Sequence, residues 1–335
     1  LTKSIEEMKT ILNELIEYRS LDKSTAKKVL MDMASGAYNS SQMSAFITVY
    51  MMRTITIEEL EGFRDAMLEL CIPVTTNKPL IDVCGTGGDG KNTFNISTLS
   101  AFVVAAAGQP VAKHGNYGVS SVSGSSNVME HLGYTFSNDT KKLMEELERT
   151  NIFFMHAPLF HPAMKNVAPI RKELGVKTFF NLLGPIVNPA SPPRQLVGVF
   201  NLELARQYGY LYQQSNKDYV ILHDLNGYDE ISLTGPFKIF SNWGEDQLEP
   251  SDLGLPEIKA EDLQGGETVE EAADIFLNIL QGKGTDAQKA AVVANAGMAL
   301  YCGNKKEGLI PAVQKASKTL SSGEAYHTFK KLINS

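Results

Sequence analysis

PLIDVCGTGGDGKNTFNISTLSAFVVAAAG, residues 79–108, is the stretch on which the fold turns. PLIDVCG is a short apolar run closed by Gly85 and reads as a buried strand. STLSAFVVAAAG reads as the helix that follows it. Between them, Gly85, Gly87 and Gly88 let the backbone approach a ligand and turn its N–H groups inward. Asn95, Ser97 and Thr98 open the helix, and a helix N-terminus favours an anion. Together these features describe a cradle for phosphate or pyrophosphate. The plainer alternative is a tight strand–helix loop with a hydroxyl cap. No Gly-Lys-Ser/Thr follows, so the turn is not a P-loop. The third glycine of a dinucleotide fingerprint would fall at Gly90, where Asp89 crowds the turn. The stretch offers much backbone, little side chain and no single nucleophile.

Working outward, strands and helices alternate. QPVAKHG, NIFFMHA, RQLVGVF and DYVILHD read as strands, and SSNVMEHLG, TKKLMEELERT and NLELARQYGYLYQQSN as helices. This alternation predicts a mostly parallel sheet covered by helices. The residues before it read as helices only. Ile5, Met8, Leu12 and Leu15 share a face, as do Met43, Phe46, Ile47 and Tyr50, and Leu60, Phe63, Met67 and Leu70. The second helix can start from Asp22 or Ser24 as its cap and end at Gly36. Residues 161–190 break the alternation with a helical pattern punctuated by prolines. The expected fold class is α/β: a small all-α N-terminal domain plus a large α/β domain with a mostly parallel central sheet. The helical domain is placed at 1–72, with a return excursion at about 162–186, and the α/β domain at 73–161 and 187–335. Near the end, Thr268 and Glu271 have the spacing of a capping box, and DAQKAAVVANAGMAL is a small-residue helix suited to close packing.

The whole chain agrees with this division. Its 335 residues exceed one small core, and 43% hydrophobic with 21% charged residues is ordinary for a globular protein. A net charge of −7 argues against a general nucleic-acid binder. Cys71, Cys84 and Cys302 fit neither a disulfide framework nor a zinc set and suggest a reducing compartment. The apolar runs are too short to span a membrane, and the acid-bearing LTKSIEEMKT is not a secretory signal. A cytoplasmic protein is expected.

Two further segments carry chemistry. KHGNYGVSSVSGSSNVMEHLG brings Lys113 and His114 off a strand end and crowds Ser120, Ser121, Ser123 and Ser125 before the next helix. A second anion cradle beside the first implies a ligand with two phosphate groups some distance apart. In HDLNGYDEISLTG, Asp229 and Glu230 are adjacent acids just after a strand. An isolated acidic pair is most simply a solvated turn; beside two phosphate cradles, hard oxygen ligands suit Mg²⁺.

GTGGDG, TFNIST, KHGN, SSVSGSSNVMEHLG, HPAMKNVAPIRKELGVKTFFNLLGPIVNPA, QLVGVF and GYDEIS, in this order, resemble the motifs of the anthranilate phosphoribosyltransferase family. MASGAYNSSQMSAFI and GGETVEEAA fit it too, so the resemblance runs nearly end to end. It implies transfer of the 5-phosphoribosyl group of phosphoribosyl pyrophosphate to the amine of anthranilate, with release of pyrophosphate. It also implies Mg²⁺ and a homodimer paired through the helical domain. By matching position it assigns Gly85, Gly88, Asp89, Thr93, Asn95, Ile96, Ser97 and Thr98 to the pyrophosphate side. Lys113, His114, Gly115, Asn116, Tyr117, Gly118, Val119, Ser120, Ser121 and Ser125 would hold the phosphoribosyl part. Gly85, Asn116 and Arg171 would meet anthranilate, a guanidinium suiting its carboxylate, and Ser97, Asp229 and Glu230 the metal. His114 is a candidate for proton removal or for binding. The chain departs from the family pattern at Tyr117, commonly Arg, at Val122, often Lys, and at Asn127, where Asp is common. The rival enzyme reading is a pyrimidine nucleoside phosphorylase of the same architecture. The rival non-enzyme reading is a nucleic-acid-binding relative, which should show a basic surface.

Overall fold

The structure, a computed structural model, describes residues 2–118 and 122–334, with the backbone alone for 2–5. The chain divides into two compact units, Leu1–Pro73 with Ala157–Pro189, and Val74–His156 with Ala190–Ser335.

The first unit is helical. Its leading helices are α1 (Thr2–Ile16), α2 (Lys23–Ser35), α3 (Ser40–Met52) and α4 (Ile57–Leu70). Asp22, not Ser24, caps α2: its Oδ1 accepts from Thr25 N at 2.8 Å, and Gly36 ends the helix in the left-handed region at φ 79°. Thr56 and Glu59 cap α4 reciprocally. Glu59 is fully buried, and the same carboxylate also takes Leu21 N, the Tyr50 hydroxyl and the Arg53 guanidinium. On α1 the buried seam is Met8, Ile11 and Leu15, with Leu12 only half-buried; the side chain of Ile5 lies outside the described residues. The stripe is therefore centred one residue away from the sequence expectation, because 3-4 spacing from Met8 reaches Ile11 and Leu15. The aromatic faces of α3 and α4 meet Phe179 of the returning segment, which stacks on Phe63 at 4.7 Å and lies 5.2 Å from Tyr50.

The second unit is built on a seven-stranded sheet of order β3-β2-β1-β4-β5-β6-β7. The strands are β1 (Ile81–Gly85), β2 (Val111–Gly115), β3 (Ile152–His156), β4 (Arg194–Gly198), β5 (Asp218–Asp224), β6 (Phe237–Ser241) and β7 (Gly244–Leu248). β1 to β5 are mutually parallel and β6 and β7 antiparallel, so the sheet is mostly parallel. Helices α5 (Ile96–Ala106), α6 (Ser125–His131) and α7 (Thr140–Thr150) belong to the β1–β3 side. The helix Asp286–Gly303 is buried along most of its length against α5, the sheet and the helix Leu309–Ser321. Its small residues permit that approach: a Cβ on Gly297 would stand 2.6 Å from Val313 Cγ2. Thr268 caps the helix Val269–Leu280 through Glu271 N at 3.1 Å, but the Glu271 carboxylate takes Glu267 N at 2.7 Å instead of closing a box. The turn at Gly266, φ +83°, carries Glu267 N into that position.

Chain direction sets where a ligand can sit. β1, β2 and β3 step one way across the sheet and β4 and β5 the other, so the topological switch lies between β1 and β4. Open parallel sheets bind ligands at the carboxyl ends of such strands.

Candidate active site

Gly85 ends β1 and Gly198 ends β4, and the two are register partners. Asp229, reached after β5, lies over both. A Cβ on Gly85 would stand 2.2 Å from Asp229 Oδ2, and one on Gly198 1.6 Å from the Asp229 carbonyl oxygen. These glycines therefore form a seat that a side chain would fill. From it Asp229 Oδ2 accepts the N–H of Gly87 at 2.6 Å. The neighbouring Glu230 Oε1 accepts Ser97 N at 2.8 Å. The negative group at the start of α5 is thus Glu230, and the helix N-terminus stabilises it. Ile231 N and O bond to the Asn295 side chain at 3.0 and 2.9 Å, which fixes the acidic turn from the helix Asp286–Gly303.

The electrostatics follow from this crowding. Burial pushes the Asp229 carboxyl well above its ordinary value, and Glu230 and Asp89 beside it add to the rise. Burial raises Glu230 to about 7, against the bonds from Ser97 and the charge of Lys113. Lys113 is almost fully buried near the end of β2; its Nζ donates to Val83 O at 2.6 Å and reaches Ser97 Oγ at 3.4 Å. Cys84 is no nucleophile, because burial raises its thiol far above the ordinary range.

Mg²⁺ fits this donor set. Asp229 is buried and Glu230 beside it partly buried; each accepts one backbone N–H, and burial raises both carboxyls, which marks a place where positive charge is favoured. Among the described residues no group of three or more His, Cys, Asp or Glu is arranged to hold a metal alone. Mg²⁺ is usually bound by one or two carboxylates completed by water and substrate phosphate, so a two-carboxylate site agrees with it.

The expected residues divide among three places. Gly85, Gly88, Asp89, Thr93, Asn95, Ile96, Ser97 and Thr98 run from the end of β1 into α5, and of these Gly85 seats Asp229 and Ser97 N binds Glu230. Lys113, His114 and Gly115 end β2, with Asn116, Tyr117 and Gly118 beyond them; His114 is half-buried. Ser125 opens α6 and packs under Gly115, whose added Cβ would stand 2.4 Å from Ser125 Oγ. Val119, Ser120 and Ser121 lie outside the described residues. Arg171 lies on the helix Ala168–Leu174 of the other unit, its guanidinium 5.0 Å from the Phe180 ring centroid and 3.5 Å from Asn181 Oδ1.

Two of the three departures from the family pattern make local contacts. Asn127 Oδ1 accepts Gly118 N at 2.9 Å and Gly124 N at 3.0 Å, an acceptor role that a carboxylate would also fill. Tyr117 places its ring 4.6 Å from that of His156, and its hydroxyl donates to Glu130 at 3.2 Å. Val122 is exposed. Sequence reasoning gave no role to Gly198, although it lies inside QLVGVF, or to Asn295, which lies in a small-residue helix. Gly198 had one available signal, a glycine closing the apolar run RQLVG.

A parallel sheet with an acidic pair at its switch point and glycine-rich turns beside it defines the class. The family described as glycosyl transferase family, a/b domain, matches residues 77–326, and its helical bundle domain matches residues 9–71. The chain belongs to this glycosyl transferase family. Among its relatives, the anthranilate phosphoribosyltransferase of Flavobacterium psychrophilum is 59% identical over 97% of this chain and 98% of its own length. That of Bacteroides thetaiotaomicron is 50% identical over 97% and 98%. The crystal structure of the Thermus thermophilus anthranilate phosphoribosyltransferase superposes with a TM-score of 0.89 at 34% identity, covering 96% of this chain and 98% of its own. The Saccharomyces cerevisiae enzyme, in complex with phosphoribosyl pyrophosphate and Mg, gives 0.90 at 25% identity over 98% and 97%.

Proposed function

We propose that this protein transfers the 5-phosphoribosyl group of phosphoribosyl pyrophosphate to the amine of anthranilate, giving N-(5-phosphoribosyl)anthranilate and pyrophosphate in tryptophan biosynthesis. The observation that carries the reading is the seat of Asp229 over Gly85 and Gly198, with Glu230 on the first turn of α5. It puts two carboxylates beside the glycine turn at the sheet's switch point, which suits a metal-bound pyrophosphate. The near full-length identity to enzymes of that name supports it.

In this reading Asp229 and Glu230 hold Mg²⁺, with Ser97 beside them. Mg²⁺ held there would supply stabilisation of the charge on pyrophosphate. Gly85, Gly88, Asp89, Thr93 and Asn95–Thr98 line the pyrophosphate side. Lys113 contributes a buried positive charge between the two strand ends. His114, Asn116, Tyr117 and Ser125 border the phosphoribosyl part, and Arg171 binds the anthranilate carboxylate. The amine of anthranilate is neutral at ordinary pH. It forms the new C–N bond as the bond from ribose carbon to pyrophosphate oxygen breaks, and its proton is then lost, with His114 as the candidate acceptor. Catalysis is positional and electrostatic, without a covalent enzyme intermediate.

Loss of anthranilate fluorescence tests the reading. The signal should fall only when phosphoribosyl pyrophosphate and Mg²⁺ are both present. A constant signal with fresh, metal-replete protein would refute it. In the same assay Arg171→Ala should raise KM for anthranilate far more than KM for phosphoribosyl pyrophosphate, and equal damage to both would remove Arg171 from that role. Phosphorolysis of thymidine would instead indicate a nucleoside phosphorylase.

A further inference from the structure

The segment that follows the glycine turn is held in place by a part of the chain to which no role has been assigned. Residues 91–95 contain neither helix nor strand beyond one antiparallel bridge between Thr93 and Gln264. Around that bridge Phe94 N donates to Leu263 O at 3.0 Å, and Gly265 N to Asn92 O at 2.7 Å. The Asn92 side chain adds a bond from Nδ2 to Gly266 O at 2.7 Å. Phe94 and Leu263 are both fully buried, so the bond between them is shielded from water, while the Asn92–Gly266 bond is partly buried. The contact is backbone on backbone: a Cβ on Gly265 would stand 2.6 Å from Thr93 O and 2.9 Å from Phe94 N. Beyond Gly266, the bond from Glu267 N to Glu271 ties the same segment to the helix Val269–Leu280. On its other side the wall is held by Glu230 through Ser97 N. Residues 93–97 are thus fixed from both ends by groups far away in sequence.

We infer that Leu263–Gly266 is a strap that positions the phosphate wall, and that Asn92 and Gly265 are positioning residues for phosphoribosyl pyrophosphate. The inference rests on the reading of Thr93 and Asn95–Thr98 as that wall. Neither Asn92 nor Gly265 needs to touch substrate. Each sets where the Thr93 and Asn95 groups stand, and a displacement of about 1 Å at a binding wall is enough to cost as much as a hundredfold in rate. A strap on this side of the site should act on one substrate and leave the other alone, which a purely structural role would not do.

Steady-state kinetics of the full chain test it. Gly265→Ala and Asn92→Ala are each expected to raise KM for phosphoribosyl pyrophosphate about tenfold, while KM for anthranilate at saturating phosphoribosyl pyrophosphate stays within about twofold. Asn92→Gln, which keeps the amide donor, should recover part of the loss. Thr285→Ala is the control: it removes the cap that accepts Gln288 N at 3.1 Å and should lower Tm without moving either KM. Unchanged kinetics in folded Gly265→Ala and Asn92→Ala would overturn the strap, as would equal rises in both KM values tracking the fall in Tm. If Gly265→Ala does not fold, Asn92→Ala decides alone, since it removes one bond and adds no atom. Wild-type protein without turnover would overturn the functional reading itself, and the strap's role with it.

Discussion

His161 shows how one buried side chain ties stability to pH. It is 5% exposed within the helical unit, and burial brings its pKa from 6.5 to about 4, against backbone hydrogen bonds involving Val187 and Met67. The folded state therefore holds it neutral, while the unfolded chain takes up a proton below its ordinary pKa. Since the folded pKa of this base is depressed, its contribution is present above pH 6.5 and lost as pH falls toward about 4. A separation of that size corresponds to something on the order of 3 kcal/mol over the window. Denaturant midpoints of wild type and His161→Gln, compared between pH 7 and pH 4, should show wild type losing more stability than the variant as pH falls. A difference that stays constant over that range would show that His161 does not titrate this way. Asp229 and Glu230 shift the other way, since burial raises both carboxyls.

Among elements, α2 and α4 pack without space between them at one point. Gly62 on α4 faces α2 with no room for a side chain: a Cβ there would stand 2.4 Å from Lys23 O and 2.7 Å from Ala26 Cβ. Both neighbours belong to α2, one of them backbone, so the helices would have to separate. Overpacking of this kind costs about 1–3 kcal/mol, more than Ala gains over Gly in helix propensity. Gly62→Ala should therefore lower Tm in calorimetry, and an unchanged or raised Tm would contradict the contact. The same logic separates what was legible at this scale. The strands β1–β5 and the main helices follow from apolar period and capping residues, and the buried faces follow in part, since on α1 Ile11 and not Leu12 is buried. Glu271 could not be read this way, because its choice of Glu267 N over Thr268 N depends on the left-handed turn at Gly266.

The helical unit exposes several large apolar side chains: Ile16, Tyr18, Met51 and Met52, the last 79% exposed. If these side chains form one contiguous patch, it would suit an interaction surface. We propose a homodimer paired through this unit, for which light scattering should return about twice the chain mass of 36.7 kDa. Met52→Glu with Ile16→Glu should shift that mass toward the monomer, and a monomeric wild type would end the proposal. The net charge of −7 gives a nucleic-acid partner no general footing. Among the described residues no helix is long and apolar enough to cross a membrane.

The sequence by itself determined the alternation of strands and helices, the helical character of the first seventy or so residues, the glycine turn after β1 and the adjacency of Asp229 to Glu230. Each of these is a local property, written in spacing, caps and neighbours along the chain. Only the tertiary structure decided that Gly198 would pair with Gly85 to seat Asp229, that Glu230 would take the first turn of α5, and that Gly265 would press on Thr93. Those contacts join residues separated by more than a hundred positions in most cases. They exist because the sheet places β4 beside β1, and strand order is a global choice of packing that no local periodicity records.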